Sequence, residues 1–440
     1  MYSLACFRYR SNSVNKTGTF TLLLLIGLCM PARGFAQAAT PASARRLETL
    51  IQERKYLELE RRLDEHHAPQ DAGFFRGIMA NRKNRVAESI KLLEPLVSKF
   101  AAQPPSWREQ ELLRTLADDY AKSFEYAKSA DTFAALLKRY DKTLPPEQRR
   151  AAGERQGAMQ ILRASPKQTV ELNGPAMLAS TRNKLGLIEI PVEIDGKREM
   201  WVLDTGANTS VVTESTARRI GLELLPGTAQ TGGYTGAPVR FHVGVLPKLK
   251  IGNTIFHNVE LDVAEDKEFN FGGYQISGLV GYPLQSALGR ITFYADGSVG
   301  LNTEPASKSG SEMFMEEQMP AGAARAAGAE RLFTLDTGAG STFSFRFYNV
   351  VKPQLTKAMR AHSELSGAGG THKMRSYLLP ELKMNIGGED VTLKSVTVLP
   401  EPLGGDSVGD LFFGNLGQDV FGAFKSFTFD FQRMMVEARK

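Results

Sequence analysis

The stretch Leu-Asp-Thr-Gly-Ala occurs twice, once in "MWVLDTGANTSVV" around Asp204 and once in "RLFTLDTGAGSTF" around Asp336, 132 residues apart. Each Asp ends an apolar stretch and opens a tight Gly-containing turn, a placement that can aim a carboxyl into a cleft. Two carboxyls held close together do what one cannot. Like charges do not both ionise easily, so the pair keeps one proton. The ionised member can take a proton from water while the neutral member donates one to a carbonyl oxygen. Cysteine-based nucleophiles and metal sites have no support. Both cysteines, Cys6 and Cys29, lie in the leader, and the six histidines (66, 67, 242, 257, 362 and 372) have no metal-ligand spacing. No metal site and no cofactor are expected, so the paired aspartates are the candidate chemistry.

The segments that must position them also occur twice. From about Leu185 the chain is rich in Val, Ile, Thr and Phe, with alternating apolar residues and Gly turns, the pattern of short strands. "LPKLKIG" begins 42 residues after Asp204 and "LPELKMNIGG" 43 residues after Asp336; "GLVGYPLQ" places Gly281 77 residues after the first Asp and "LFFGNLGQ" places Gly414 78 after the second. Each half closes on a Phe-bearing strand, "ITFYADGSVGL" and "FTFDFQRMMVEA". A domain of about 110 residues present twice is the reading these offsets support. The intervening "NTEPASKSGSE" and "PAGAARAAGAE" read as linker and surface loop, although a hairpin leading into the second motif must also come from this region.

With these elements in place the chain resembles the aspartic proteases. In that family a strand ends in Asp-Thr-Gly-Ser/Ala and a later strand brings two apolar residues and a Gly beside it. Ala207 and Ala339 after the Gly, and the short domains, are most similar to retropepsins, here duplicated within one chain in the manner of pepsin; the resemblance covers residues 185–440. It implies that Asp204 and Asp336 are the catalytic pair of a peptide hydrolase. It also implies that Thr205 and Thr337 hydrogen-bond across the interface, that Gly206 and Gly338 let backbone approach the carboxyls, and that Leu279-Val280-Gly281 and Phe412-Phe413-Gly414 pack beside the motifs. Ala in place of Ser removes a donor to the carboxylates, which raises their pKa values and implies a mildly acidic optimum. A flap is also implied. Tyr234 in "TGGYTGAPV" is its candidate, an ordinary hairpin turn being the alternative, and "LSGAGGTHK" is the matching segment.

The front third differs. Residues 43–163 are rich in Ala, Leu, Arg, Glu and Gln with apolar spacings of three and four, and Pro pairs at 104–105 and 145–146 fit helix starts. "GIMANRKNRVAESIKLLEPLV" and "ADDYAKSFEYAKSADTFAALL" align at an offset of 40, similar to tetratricopeptide helix pairs, with a plain helical bundle as the alternative. No chemistry is evident here; docking a protein partner or substrate, or shielding the rest, is the expected work.

Residues 1–38 read as a secretory signal peptide: a basic leader, the apolar run 19–30, and "AQA" before a cleavage point, an uncleaved anchor being the alternative. Removing its four cations leaves 50 basic against 48 acidic residues, so the net charge of +6 belongs largely to the leader and implies no nucleic-acid partner. No stable membrane span is expected after cleavage, and the periplasm is the expected destination. The expected architecture is therefore an all-α helical-repeat domain at 41–165, then two all-β retropepsin-like domains at 183–303 and 331–440 forming a bilobal pseudo-dimer, with 304–330 between them. The expected function is an exported aspartic endopeptidase acting on peptides or unfolded protein. The alternative is a non-catalytic peptide-binding protein using the same cleft and helices.

Overall fold

The computed structural model describes residues 42–65, 69–232, 238–307, 309–367, 370–403 and 410–440. Residues 1–41, the His66-His67 pair and Tyr234 lie outside these residues. A helical region, about 42–161, precedes a large β-rich region with mixed sheets. No helix among the described residues is long and apolar enough to cross a membrane.

The helices start where the sequence supplies caps. Ser106 accepts from the Glu109 amide ahead of Trp107–Lys122, and Pro146 takes the first position of Pro146–Ile161, where its missing N–H costs nothing. The offset of 40 has a physical counterpart. Ser89 Oγ donates to the Gly77 carbonyl and Ser129 Oγ to that of Ala117, at 2.9 and 2.7 Å, while Asn84 and Phe124 both take left-handed backbone (φ 56° and 59°) in the turns between helices.

The β region starts at Thr169, ahead of the expected boundary at 183: Thr169–Leu172 pairs with Thr254–Ala264, and Ala176–Leu178 pairs with Val299–Leu301. Two hairpins lead to the two aspartates. Ile188–Ile194 turns at Asp195-Gly196 (φ 48° and 75°) into Lys197–Leu203. Met319–Ala326 turns at Ala327-Gly328 (φ 46° and 79°) into Ala329–Leu335. Left-handed backbone at both central positions is what a two-residue hairpin demands. The two Phe-bearing closing strands lie side by side, antiparallel, with Ile291 opposite Phe429 and Phe293 opposite Phe427.

The second hairpin corrects the expectation of linker and surface loop over 304–330. Ser311–Glu316 and Met319–Ala326 are strands, and Ala321, Ala323, Ala324 and Ala326 are buried. Ala321 and Ala323 pack against the helices, whereas Ala324 and Ala326 face the β core, so this strand is covered on both sides. Ala and Gly favour strands poorly, but their small size lets a helical layer and a β core close on one strand.

Buried charge fastens the same contact. The Glu316 carboxylate lies among Arg54 (3.2 Å), Arg82 (3.8 Å) and the hydroxyl of Tyr56, all from the helical region. Despite burial, these cations hold its pKa down at about 2. A buried carboxylate with partners of this kind cannot lose them cheaply.

Candidate active site

Asp204 and Asp336 each follow the last residue of a strand, Lys197–Leu203 and Ala329–Leu335. A short parallel strand lies beside each. Leu279 and Val280 pair with Val202 and Leu203, while Asn415 and Leu416 pair with Thr334 and Leu335. The Asp204 amide donates to the Val280 carbonyl at 3.2 Å and the Asp336 amide to that of Leu416 at 2.9 Å. The two aspartates therefore leave their strands in the same direction and meet on the floor of a cleft of about 1470 Å³.

The threonines lock the loops reciprocally. The Thr205 amide donates to Thr337 Oγ1 (3.0 Å), and the Thr337 amide to Thr205 Oγ1 (2.9 Å). Each hydroxyl then donates across to the other strand's last carbonyl, Thr205 to Leu335 (2.9 Å) and Thr337 to Leu203 (2.7 Å). Both side chains are fully buried, so loss of any of these four bonds would leave a polar atom unpaired in the interior. The Gly206 and Gly338 amides each donate to their own Asp Oδ1 at 2.8 Å. A Cβ on Gly206 would come within 2.5 Å of the Asp336 carboxyl carbon, and one on Gly338 within 2.5 Å of that of Asp204. Only glycine permits this approach.

The two carboxyls lie close enough for each to act on the other's proton. Burial pushes both pKa values up. Asp336 rises further because the charge of Asp204 adds to burial, while amide donors at Gly206, Ala207 and Gly338 oppose the rise at Asp204. The pair titrates as a unit that holds a proton above the usual carboxylate range. Such a pair can polarise a water and protonate an oxygen opposite it.

The residues expected beside the motifs need one correction. Leu279, Val280 and Gly281 lie beside the Asp204 loop. In the second half Asn415-Leu416-Gly417 occupies that position, not Phe412-Phe413-Gly414. The Tyr282 amide donates to the Ala207 carbonyl at 3.0 Å, and the Gln418 amide donates to the Ala339 carbonyl at 2.9 Å, which equates Gly281 with Gly417. A Cβ on Gly281 would collide with the Thr209 carbonyl, and one on Gly417 with that of Ala339. Phe412 packs into the helical core instead, and Phe413 lies tilted against Phe333 with ring centroids 6.3 Å apart. Gly417 lies 81 residues after Asp336 and Gly414 lies 78, so the nearer glycine matched the spacing of 77 in the first half better. The Leu-Gly pair at 416–417 was the signal that could have found the register.

Three polar residues were missed. Asn415 Nδ2 donates to Asp336 Oδ2 at 3.5 Å, held by Thr334 Oγ1, which donates to its Oδ1 at 2.8 Å. Gln285 donates to the carbonyls of Asp204 and Val280 at 2.6 Å, and Gln418 donates to that of Thr337 at 2.6 Å. Tyr234 lies outside the described residues; the paired strands Ala229–Gly232 and Pro238–Ile251 place Thr231, Val239 and Phe241 on the cleft wall. Opposite, the hairpin Arg360–Gly367 with Gly370–Ile386 contributes Ser363, Glu364 and Gly367.

Residues 190–284 match the family model described as aspartyl protease. The match takes in the Asp204 motif and Leu279-Val280-Gly281 and stops short of the second motif. No curated protein matches the chain. The matched segment, with Asp204 at the end of its strand, is thus supported as an aspartic protease domain with a protease-type, hydrolytic function.

Proposed function

We propose that the chain is an exported aspartic endopeptidase whose catalytic pair, Asp204 and Asp336, comes from two related β halves facing each other as a bilobal pseudo-dimer. The observation that carries this reading is the reciprocal Thr205–Thr337 bonding, which holds two identical turns face to face with their carboxyls in contact. The ionised carboxyl removes a proton from a water lying between the pair and the scissile carbonyl. The protonated carboxyl donates to the carbonyl oxygen as the tetrahedral intermediate forms, and proton return to the leaving amine completes cleavage. Neither Asp is assigned one role, since they titrate together. The cleft accepts an extended peptide beside the paired strands Ala229–Gly232 and Pro238–Ile251. The 40-residue similarity within the helices is read as a tetratricopeptide-like pair, and the leader as the signal for export to the periplasm.

The test is cleavage of an unstructured peptide library across pH 3 to 8 by wild type, Asp204→Asn and Asp336→Asn. Loss in both variants supports the pair. Unchanged cleavage in either sinks it, and a folded wild type that binds peptides and returns them uncut would favour the non-catalytic binding protein. Localisation is read separately, from which compartment holds the mature chain and whether its first residue lies near Ala39.

A further inference from the structure

A second cavity of about 250 Å³ lies between the helical region and the first β half, adjoining the cleft. Asn208, Thr209, Thr231, Phe241 and Asp262 line both spaces. It is below the range of about 300–1000 Å³ typical of whole-ligand pockets and suits a single side chain. Two carboxyls from the strand Thr254–Ala264 line its wall, Glu260 and Asp262. Asp262 is 8% exposed. Its Oδ2 accepts from Thr209 Oγ1 at 2.7 Å, and its Oδ1 has no partner among the described residues. The Tyr126 hydroxyl of the helical region lies close to Glu260 and feels its charge. No cation pairs with either acid among the described residues. The two cations on the wall are taken: Lys122 pairs with Asp118 at 2.7 Å, and Arg155 with Glu317 and, at 3.7 Å, with Asp118. The third wall acid, Glu154, already has Arg150 at 2.8 Å. Tyr282 completes the titratable lining, donating to Asn84.

We propose that this cavity is a subsite for a basic side chain of the substrate, a Lys or Arg a few residues from the scissile bond, with Glu260 and Asp262 as its acceptors and the helical region as its outer wall. The inference rests on the cleft being a peptide-binding cleft. It gives the helical region a part in specificity. Reach supports it: Asn208 is four residues from Asp204, so its Cα lies at most about 14 Å away, and an extended peptide covers that span in about four residues. A guanidinium or ammonium brings several donors and a charge to two acids that have no cation beside them, Asp262 having only the Thr209 hydroxyl as a side-chain donor.

The proposal carries a pH signature. Burial raises Glu260 to about 8, with the charge of Asp262 adding to the rise, and raises Asp262 to about 7. Below those values the acids are neutral and a cation gains little. Above them both are ionised, and a bound cation extends the ionised range downward. Preference for a basic residue therefore grows as pH rises from 5 to 8.

The experiment uses the Asp204→Asn chain, so that binding is read without turnover. Fluorescent peptides carry Lys or Arg at each of four positions on either side of a centre, against norleucine at the same position. Affinity is measured at pH 5 and pH 8. The expected result is one position at which the basic peptide binds at least tenfold tighter at pH 8 and less than threefold tighter at pH 5. In Glu260→Gln/Asp262→Asn, on the same background, that preference falls below threefold at pH 8. If the double variant does not fold, the isosteric Glu260→Gln alone is expected to reduce it at least threefold. No preference at any position, or one indifferent to these substitutions, overturns the proposal. Cleavage by the wild-type chain is read separately: no cleavage with intact basic preference sinks the protease reading and leaves the subsite, and cleavage without preference does the reverse.

Discussion

The Asp204 and Asp336 turns have nearly the same backbone and different surroundings. Around Asp204 the supporting pair is apolar, Val202 beside Leu279; around Asp336 it is Thr334 beside Asn415. The hairpin before Asp204 has ordinary strand residues such as Ile190 and Val192, whereas the one before Asp336 is built on Ala and packed under helices. The loop that must place a carboxyl tolerates little change, because the reciprocal threonine bonds and the two close glycines leave no room for it. What lies behind the loop varied with its neighbours. The geometry is symmetric in the turns and asymmetric in what surrounds them.

The largest expected effect tests the symmetric part. Asp204→Asn and Asp336→Asn should each lower kcat/KM at least 10²–10⁴-fold, the usual range for a lost acid or base. A large loss in one and a small loss in the other would break the equivalence of the two halves. Next is Glu316→Ala, which belongs to the second half alone. Leaving Arg54 and Arg82 buried without it should cost about 3–5 kcal/mol in chemical denaturation. Its depressed pKa sets the sign: the stabilisation is complete above about 4.5 and is lost as pH falls towards about 2, so wild type but not the variant should destabilise over that window.

Thr205→Val and Thr337→Val should each destabilise by about 1–3 kcal/mol, with similar losses because each removes the same bonds from opposite sides. Unequal losses would show one half carrying the other. The smallest effect tests the asymmetry. Asn415→Leu copies the first half and removes a donor from Asp336. Since that donor favours the charged form, its loss should move the acid limb of the pH–rate profile upward by a few tenths of a unit. A uniform loss of rate with no shift of the limb would make Asn415 a packing residue.

The turns themselves were legible. Apolar residues ahead of Asp-Thr-Gly-Ala, repeated with similar downstream spacing, are enough to locate the strand ends and the two carboxyls. The Asp195-Gly196 hairpin was legible for the same local reason, since its turn residues tolerate left-handed backbone. The strand Met319–Ala326 was not. Its residues have low strand propensity, and it exists because the helices cover one face and the β core the other. The register at 415–417 was lost because one glycine resembles another in sequence, and only hydrogen bonds tell Gly417 from Gly414.

By itself the sequence determined the two acidic turns, the helical front and the absence of cysteine after Cys29, all properties of single residues or short spacings. Tertiary structure alone decided that Asn415 faces Asp336, that Glu316 lies among arginines of the helical region, and that Glu260 and Asp262 share a cavity beside the cleft. Those are relations between segments up to about 260 residues apart, and they depend on which surfaces the fold brings together rather than on any local preference of the chain.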